Sequence, residues 1–117
     1  MSPIKSLAAA ALLAVACAGP AAAHAKLVES NPAASAAIAA PKQIVLRFNE
    51  KLEAKFSGFD LSVGGAKAAV RTSVASDGVT MIGAPTKPLA PGAYKVDWHA
   101  VTADGHRMQG SYGFTVR

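Results

Sequence analysis

Tyr94-Lys95-Val96-Asp97-Trp98-His99 is the stretch on which the fold turns. Tyr94, Val96 and Trp98 alternate with Lys95, Asp97 and His99, the period of two of a strand with one face on a core and the other in solvent. Downstream, Gln109 to Val116 repeats the pattern with Tyr112, Phe114 and Val116 inward. Upstream, Lys42 to Asn49 sets Ile44, Leu46 and Phe48 on one face against Val45 and Arg47 on the other. Phe59, Leu61 and Val63 alternate with Asp60 and Ser62, and Gly64-Gly65 then favours a tight hairpin from which Ala66 to Ser73 returns as a strand. Asp77-Gly78 turns the chain into Val79–Ile82, while Pro85, Pro88 and Pro91-Gly92 punctuate the loop before Tyr94. At the other end, Ala25 to Glu29 supplies a first strand, closed by Ser30-Asn31-Pro32. The Ala-rich residues 33–40 lie between Pro32 and Pro41, too short for an independent helix, and read as a connection with about one helical turn. Residues 50–55 read as a turn at the domain edge. Seven short strands spaced by turns predict an all-β fold, a seven-stranded Greek-key β-barrel or sandwich of immunoglobulin-like type. Its core draws on Ile44, Leu46, Phe48, Phe59, Leu61, Val63, Tyr94, Val96, Trp98, Tyr112 and Phe114.

The first residues belong to a different kind of segment. Lys5 is the only charged side chain before the apolar run Leu7 to Ala16, which leads through Gly19-Pro20 to Ala21-Ala22-Ala23. A charged head, a short apolar run and an Ala-x-Ala terminus describe a secretory signal peptide. The run is shorter than a membrane-spanning helix requires, so residues 1–23 are read as cleaved and residues 24–117 as one exported domain. Cleavage after Ala23 also removes Cys17, the only cysteine, leaving neither a disulfide nor a thiolate ligand. The net charge of +5 falls to +4 with the loss of Lys5. The remaining basic side chains are scattered along the chain, which argues against a nucleic-acid footprint.

Ala103-Asp104-Gly105-His106 falls in the loop between the last two long strands. A carboxylate and an imidazole two residues apart, with glycine between them, can converge on one point and form half of a metal site. His24 offers the rest. As the first residue after cleavage it carries a free α-amine beside its own imidazole, giving two nitrogen donors from one residue. Nitrogen and oxygen donors without thiolate suit a square-planar or tetragonal Cu(II). Asp104-Gly105 is equally a common turn sequence in which the carboxylate accepts local backbone hydrogen bonds. His99, on the strand leading into the loop and opposite in facing to Trp98, is read as a partner that orients the ligands from behind.

The ordered segments resemble the CopC-type family of periplasmic copper-binding, copper-resistance proteins. They are His24-Ala25 at the mature start, Leu27-Val28-Glu29-Ser30-Asn31-Pro32, Ile44-Val45-Leu46-Arg47-Phe48-Asn49-Glu50, Pro91-Gly92-Ala93-Tyr94, and Val101-Thr102-Ala103-Asp104-Gly105-His106 followed by Gly110. The resemblance implies a small Greek-key barrel in the periplasm that binds one Cu(II) through the terminal amine and imidazole of His24 with Asp104 and His106. It further implies a carrier or buffer in copper homeostasis and resistance, with an inner-membrane copper transport protein as candidate partner and with no nucleic acid or small-molecule substrate. Some members have a methionine-rich loop for Cu(I). Here Met81 and Met108 stand apart in or beside strands, so no strong Cu(I) site is expected. Two other classes compete: a metal-independent exported β-sandwich interaction module, and an oxidative copper enzyme. The latter lacks exposed aromatics for a substrate platform, because Tyr94 and Trp98 fit the core pattern.

Overall fold

The structure is a computed structural model and describes residues 26–117. The expected signal peptide and His24 lie outside the described residues. Strands β1 (Leu27–Asn31), β3 (Ile44–Phe48), β6 (Val70–Val74) and β7 (Thr80–Pro85) form a four-stranded sheet in the order β1-β3-β7-β6. Strands β2 (Ala37–Ile38), β4 (Gly58–Val63), β5 (Ala66–Ala68), β8 (Gly92–Val101) and β9 (Arg107–Val116) form a five-stranded sheet in the order β2-β9-β8-β4-β5. The inner faces of the two sheets share one hydrophobic cluster.

The two sheets make an all-β sandwich, and neither closes on itself or on the other. The seven-stranded barrel expected from the sequence is therefore corrected to two open sheets with edges at β1 and β6 and at β2 and β5. Two local events explain the difference. Ala66 to Ser73 is not one strand: β5 pairs with β4 in one sheet, Ala69 leaves the ladder, and β6 pairs with β7 in the other. The strand that would have continued the five-stranded sheet instead moves to the opposite layer, leaving a three-residue edge at β5. The second event is in the Ala-rich connection. Ser35 takes a positive φ of 64° and no helical turn forms. Ala37–Ile38 pairs in parallel with Thr115–Val116, with Thr115 N–H donating to Ala36 O at 2.8 Å and Arg117 N–H to Ile38 O at 2.8 Å. That pairing satisfies backbone groups on the free side of β9, which an isolated eight-residue helix would not do.

Alternation accounts for most of the remaining elements. The β4–β5 hairpin turns on Gly64 and Gly65, both at positive φ (58° and 81°), the primed turn whose twist matches the flanking strands. Ile44, Leu46, Phe48, Phe59, Leu61, Tyr94, Val96 and Phe114 are buried, while Val63, Trp98 and Tyr112 pack against the same cluster at its margin. Tyr94 stacks on Phe114 with ring centroids 5.5 Å apart, and Phe48 meets Trp98 edge to face at 5.1 Å. Glycine makes room twice. The Phe59 ring lies over Gly83 of the opposite sheet, and the Trp98 ring covers Gly110, its cross-strand partner. Met81 is fully buried, as a gap-filling side chain should be. The Tyr112 hydroxyl is buried, and that burial raises its pKa against a smaller, opposing contribution from Ser30.

The edge turn at residues 50–55 contributes more than the sequence suggested. Leu52 is buried and forms an isolated bridge with Thr102, and a short 3-10 turn follows at Ala54–Phe56. Glu53 N–H donates to Val101 O at 2.7 Å, and Val101 N–H to Ser57 Oγ at 3.0 Å. This segment binds the last turn of β8 from the side, fixing the base of the loop that carries Asp104 and His106.

Candidate metal centre

Thr102 is the foot of the β8–β9 loop and, at 3% exposure, the one buried polar residue among the described residues. Its N–H donates to His106 O at 2.9 Å, its carbonyl accepts from Gly105 N–H at 2.9 Å, and Gly105 takes a φ of 91° that its lack of a Cβ allows. The Thr102 hydroxyl donates to Asp104 Oδ1 and accepts from His106 N–H at 3.2 Å. One buried side chain therefore holds both candidate ligands. A threonine two residues before Asp-Gly is a local turn former, but nothing in the sequence marks this one as buried beneath both ligands.

Asp104 Oδ1 lies 3.0 Å from His106 Nδ1, and both side chains are more than half exposed. The hydrogen bond from Thr102, followed by that from His106, lowers the Asp104 carboxyl to about 2, so it is ionised at neutral pH. The spacing has a chemical reading. Two donors on one metal, each at about 2 Å and meeting at a right angle, stand about 2.8 Å apart. The observed gap thus suits a shared proton or a shared ion. It also suits a carboxylate that orients a metal-bound imidazole through its second nitrogen.

The start of β1 lies at the same end of the sandwich. Lys26 N–H donates to Asn49 Oδ1 at 2.7 Å and Asn49 N–H to Lys26 O at 3.2 Å, while two residues further on Lys51 O accepts from Ala103 N–H at 3.3 Å. Segment 49–51 thus joins the entry of β1 to the Asp104 loop. Position 24, itself outside the described residues, is two residues before Lys26, a reach of about 7 Å for extended chain.

Among the described residues, no group of three or more His, Cys, Asp or Glu side chains is arranged to hold a metal, so Asp104 and His106 form a pair and not a complete site. His99 is on the outer face of the five-stranded sheet, its ring beside Gly58, whereas the Asp104 hydrogen bonds run to Thr102 and His106. Met81 is in the core and Met108 is half-buried on β9, opposite Ala100.

Residues 27–117 match the CopC domain family. The chain is 42% identical over 103 residues to the copper resistance protein C of Pseudomonas syringae pv. tomato, covering 81% of this chain and 82% of that protein. It is 40% identical over 104 residues to the copper resistance protein C of Escherichia coli, with 81% and 82% covered. The crystal structure of PcoC, a methionine-rich copper resistance protein from Escherichia coli, superposes with a TM-score of 0.76 at 40% identity, covering 81% of this chain and all of that one. With a family match across nearly every described residue and relatives alike in sequence and fold, the chain belongs to the CopC family.

Proposed function

We propose that this protein is a periplasmic Cu(II) carrier or buffer in copper homeostasis and resistance. It binds one ion per chain through the terminal amine and imidazole of His24 together with Asp104 and His106. The observation that carries the reading is the Asp104–His106 pair, 3.0 Å apart and fixed by a buried threonine, at the end of the sandwich where β1 begins. The relatives' names as copper-resistance proteins support copper as the cargo. Donor chemistry supports the oxidation state: two nitrogens from His24, a third from His106 and an ionised carboxylate favour Cu(II), while Met81 is sealed in the core and Met108 sits half-buried on a strand, not in a methionine-rich loop of the kind that suits Cu(I). The protein is not an enzyme. Its copper is handed on, and an inner-membrane copper transport protein is the fitting recipient or donor.

The test separates the amine from its ring. Adding one residue before His24 converts the amine to an amide and leaves every original side chain in place. Competition titration should show weaker Cu(II) binding, and electron paramagnetic resonance should show loss of one nitrogen donor. Intact-mass measurement of the exported protein should show removal of residues 1–23. An extended protein with the original affinity and spectrum, or a mature chain starting at Lys26, would overturn the chelate.

A further inference from the structure

The 3-10 turn Ala54–Phe56 stands over the outer face of the five-stranded sheet and leaves a groove of about 510 Å³ lined by Lys55, Phe56, His99, Val101, Arg107 and Gln109. Phe56 is 56% exposed, and it and Val28 are the large apolar side chains left so exposed among the described residues. A single exposed ring is ordinary by itself; here it stands at the rim of a concavity whose charged side chains are all cationic. No carboxylate lines the groove, whose fixed charges are Lys55 and Arg107. Arg107 directly follows His106, so whatever occupies the groove lies against the copper loop.

We propose that this groove docks an acidic segment of a partner protein bearing an apolar side chain, seated between Phe56 and the cations Lys55 and Arg107. Charge complementarity carries the choice of partner, and the rest of the same face restricts its position. Beyond His99 and Gln109 the charges of the surface are paired, with Asp60 directly opposite Asp97 across β4 and β8 and a lysine beside each. Those lysines are Lys67 at 3.9 Å and Lys95 at 3.5 Å. An acidic segment is therefore drawn to the loop end, where Lys55 and Arg107 line the groove and no carboxylate does, and not to the charge-balanced middle of the sheet. Identifying the partner as a donor or acceptor of copper rests on the carrier reading above; the docking itself does not.

The experiment uses the exported protein without copper and the peptide Glu-Glu-Phe-Glu-Glu, with Lys-Lys-Phe-Lys-Lys and Glu-Glu-Ser-Glu-Glu as controls. Amide and side-chain shifts in nuclear magnetic resonance spectra should move at Lys55, Phe56, Arg107 and Gln109 with the first peptide and not with the lysine peptide, and salt should reduce the effect. Phe56→Ser and Lys55→Glu should each weaken binding at least about fivefold while preserving the remaining spectrum and Cu(II) affinity. Shifts centred on Val28, equal response to both charges, or no response would overturn the proposal. Stronger binding of the same residues to phosphatidylglycerol vesicles, or a concentration-dependent dimer in sedimentation abolished by Lys55→Glu, would also overturn it, in favour of a membrane or a second copy. Since copper is absent, failure here leaves the His24 test untouched, and failure of that test leaves this one standing.

Discussion

Phe59 reaches across the sandwich and lays its ring against the backbone of Gly83, where an added Cβ would lie 2.1 Å from Cζ. Phe59 is buried and cannot swing away. Gly83→Ala should therefore destabilise the protein by about 1–3 kcal/mol through overpacking. Denaturant unfolding would measure it. Adding Phe59→Leu should recover part of the loss, a coupling that two independent defects would not show.

Thr102→Val keeps the shape of the buried side chain and removes its hydroxyl. Asp104 loses the hydrogen bond that does most to lower its carboxyl, so the pKa should rise from about 2 toward the ordinary carboxylate range, as a carboxyl-detected titration would show. His106 N–H loses an acceptor as well, and stability should drop by about 1–2 kcal/mol. Copper affinity should fall although no donor atom is lost.

Among direct changes at the loop, His106→Ala should weaken Cu(II) binding more than Asp104→Asn, because an amide oxygen can still accept the hydrogen bonds that shape the turn. His99→Ala should have the smallest effect of the three, because Asp104 is held by Thr102 and His106 while the His99 ring lies beside Gly58. Affinity in the unaltered protein should decline between about pH 8 and pH 6 as protons compete for the terminal amine and ring of His24. Competition titrations and spin resonance on each variant would rank them. A matched Cu(I) titration should find no site of comparable strength, since Met81 is sealed in the core.

Asp77 closes the β6–β7 turn by accepting from Val79 N–H at 2.9 Å, Thr80 N–H at 3.0 Å and the Thr80 hydroxyl at 2.6 Å, and the last of these contributes most to lowering its pKa. A carboxyl lowered in the folded state contributes stability that is present above its unfolded pKa, near 3.9, and lost as pH falls through the folded value. Asp77→Asn should therefore melt earlier than the original protein at neutral pH, with the gap closing below about pH 4. Melting curves at several pH values would show it; a gap constant down to strong acid would contradict the assignment.

The parts of this fold that could be read from residues alone are those with a local signature. Tyr94 to Trp98 and Ile44 to Phe48 declare themselves by alternation, and Gly64-Gly65 by the positive φ that it permits. Ala66 to Ser73 gives no such mark: nothing in its small and polar side chains announces that Ala69 moves the chain to another sheet. Ala37–Ile38 is set by a partner almost eighty residues away, and its alanines carry only a weak helical preference that tertiary pairing overrides. At the site, Asp104 and His106 were legible by donor type, and the structure brings them together. Thr102 was not, because its importance comes from burial beneath the turn and from the bridge to Leu52, both products of the folded chain.

The bracing of the Asp104–His106 loop has a kinetic meaning. Thr102 beneath, Lys51 beside Ala103, and Glu53 with Ser57 against Val101 fix the carboxylate and imidazole before any ion arrives. On the carrier reading, little ordering entropy remains to be lost at that half of the site when the ion binds. A recipient would then take the ion by replacing the donors of His24 one at a time, while the sandwich stays as it is. Release would follow the rate of ligand exchange at the metal, not that of opening the protein.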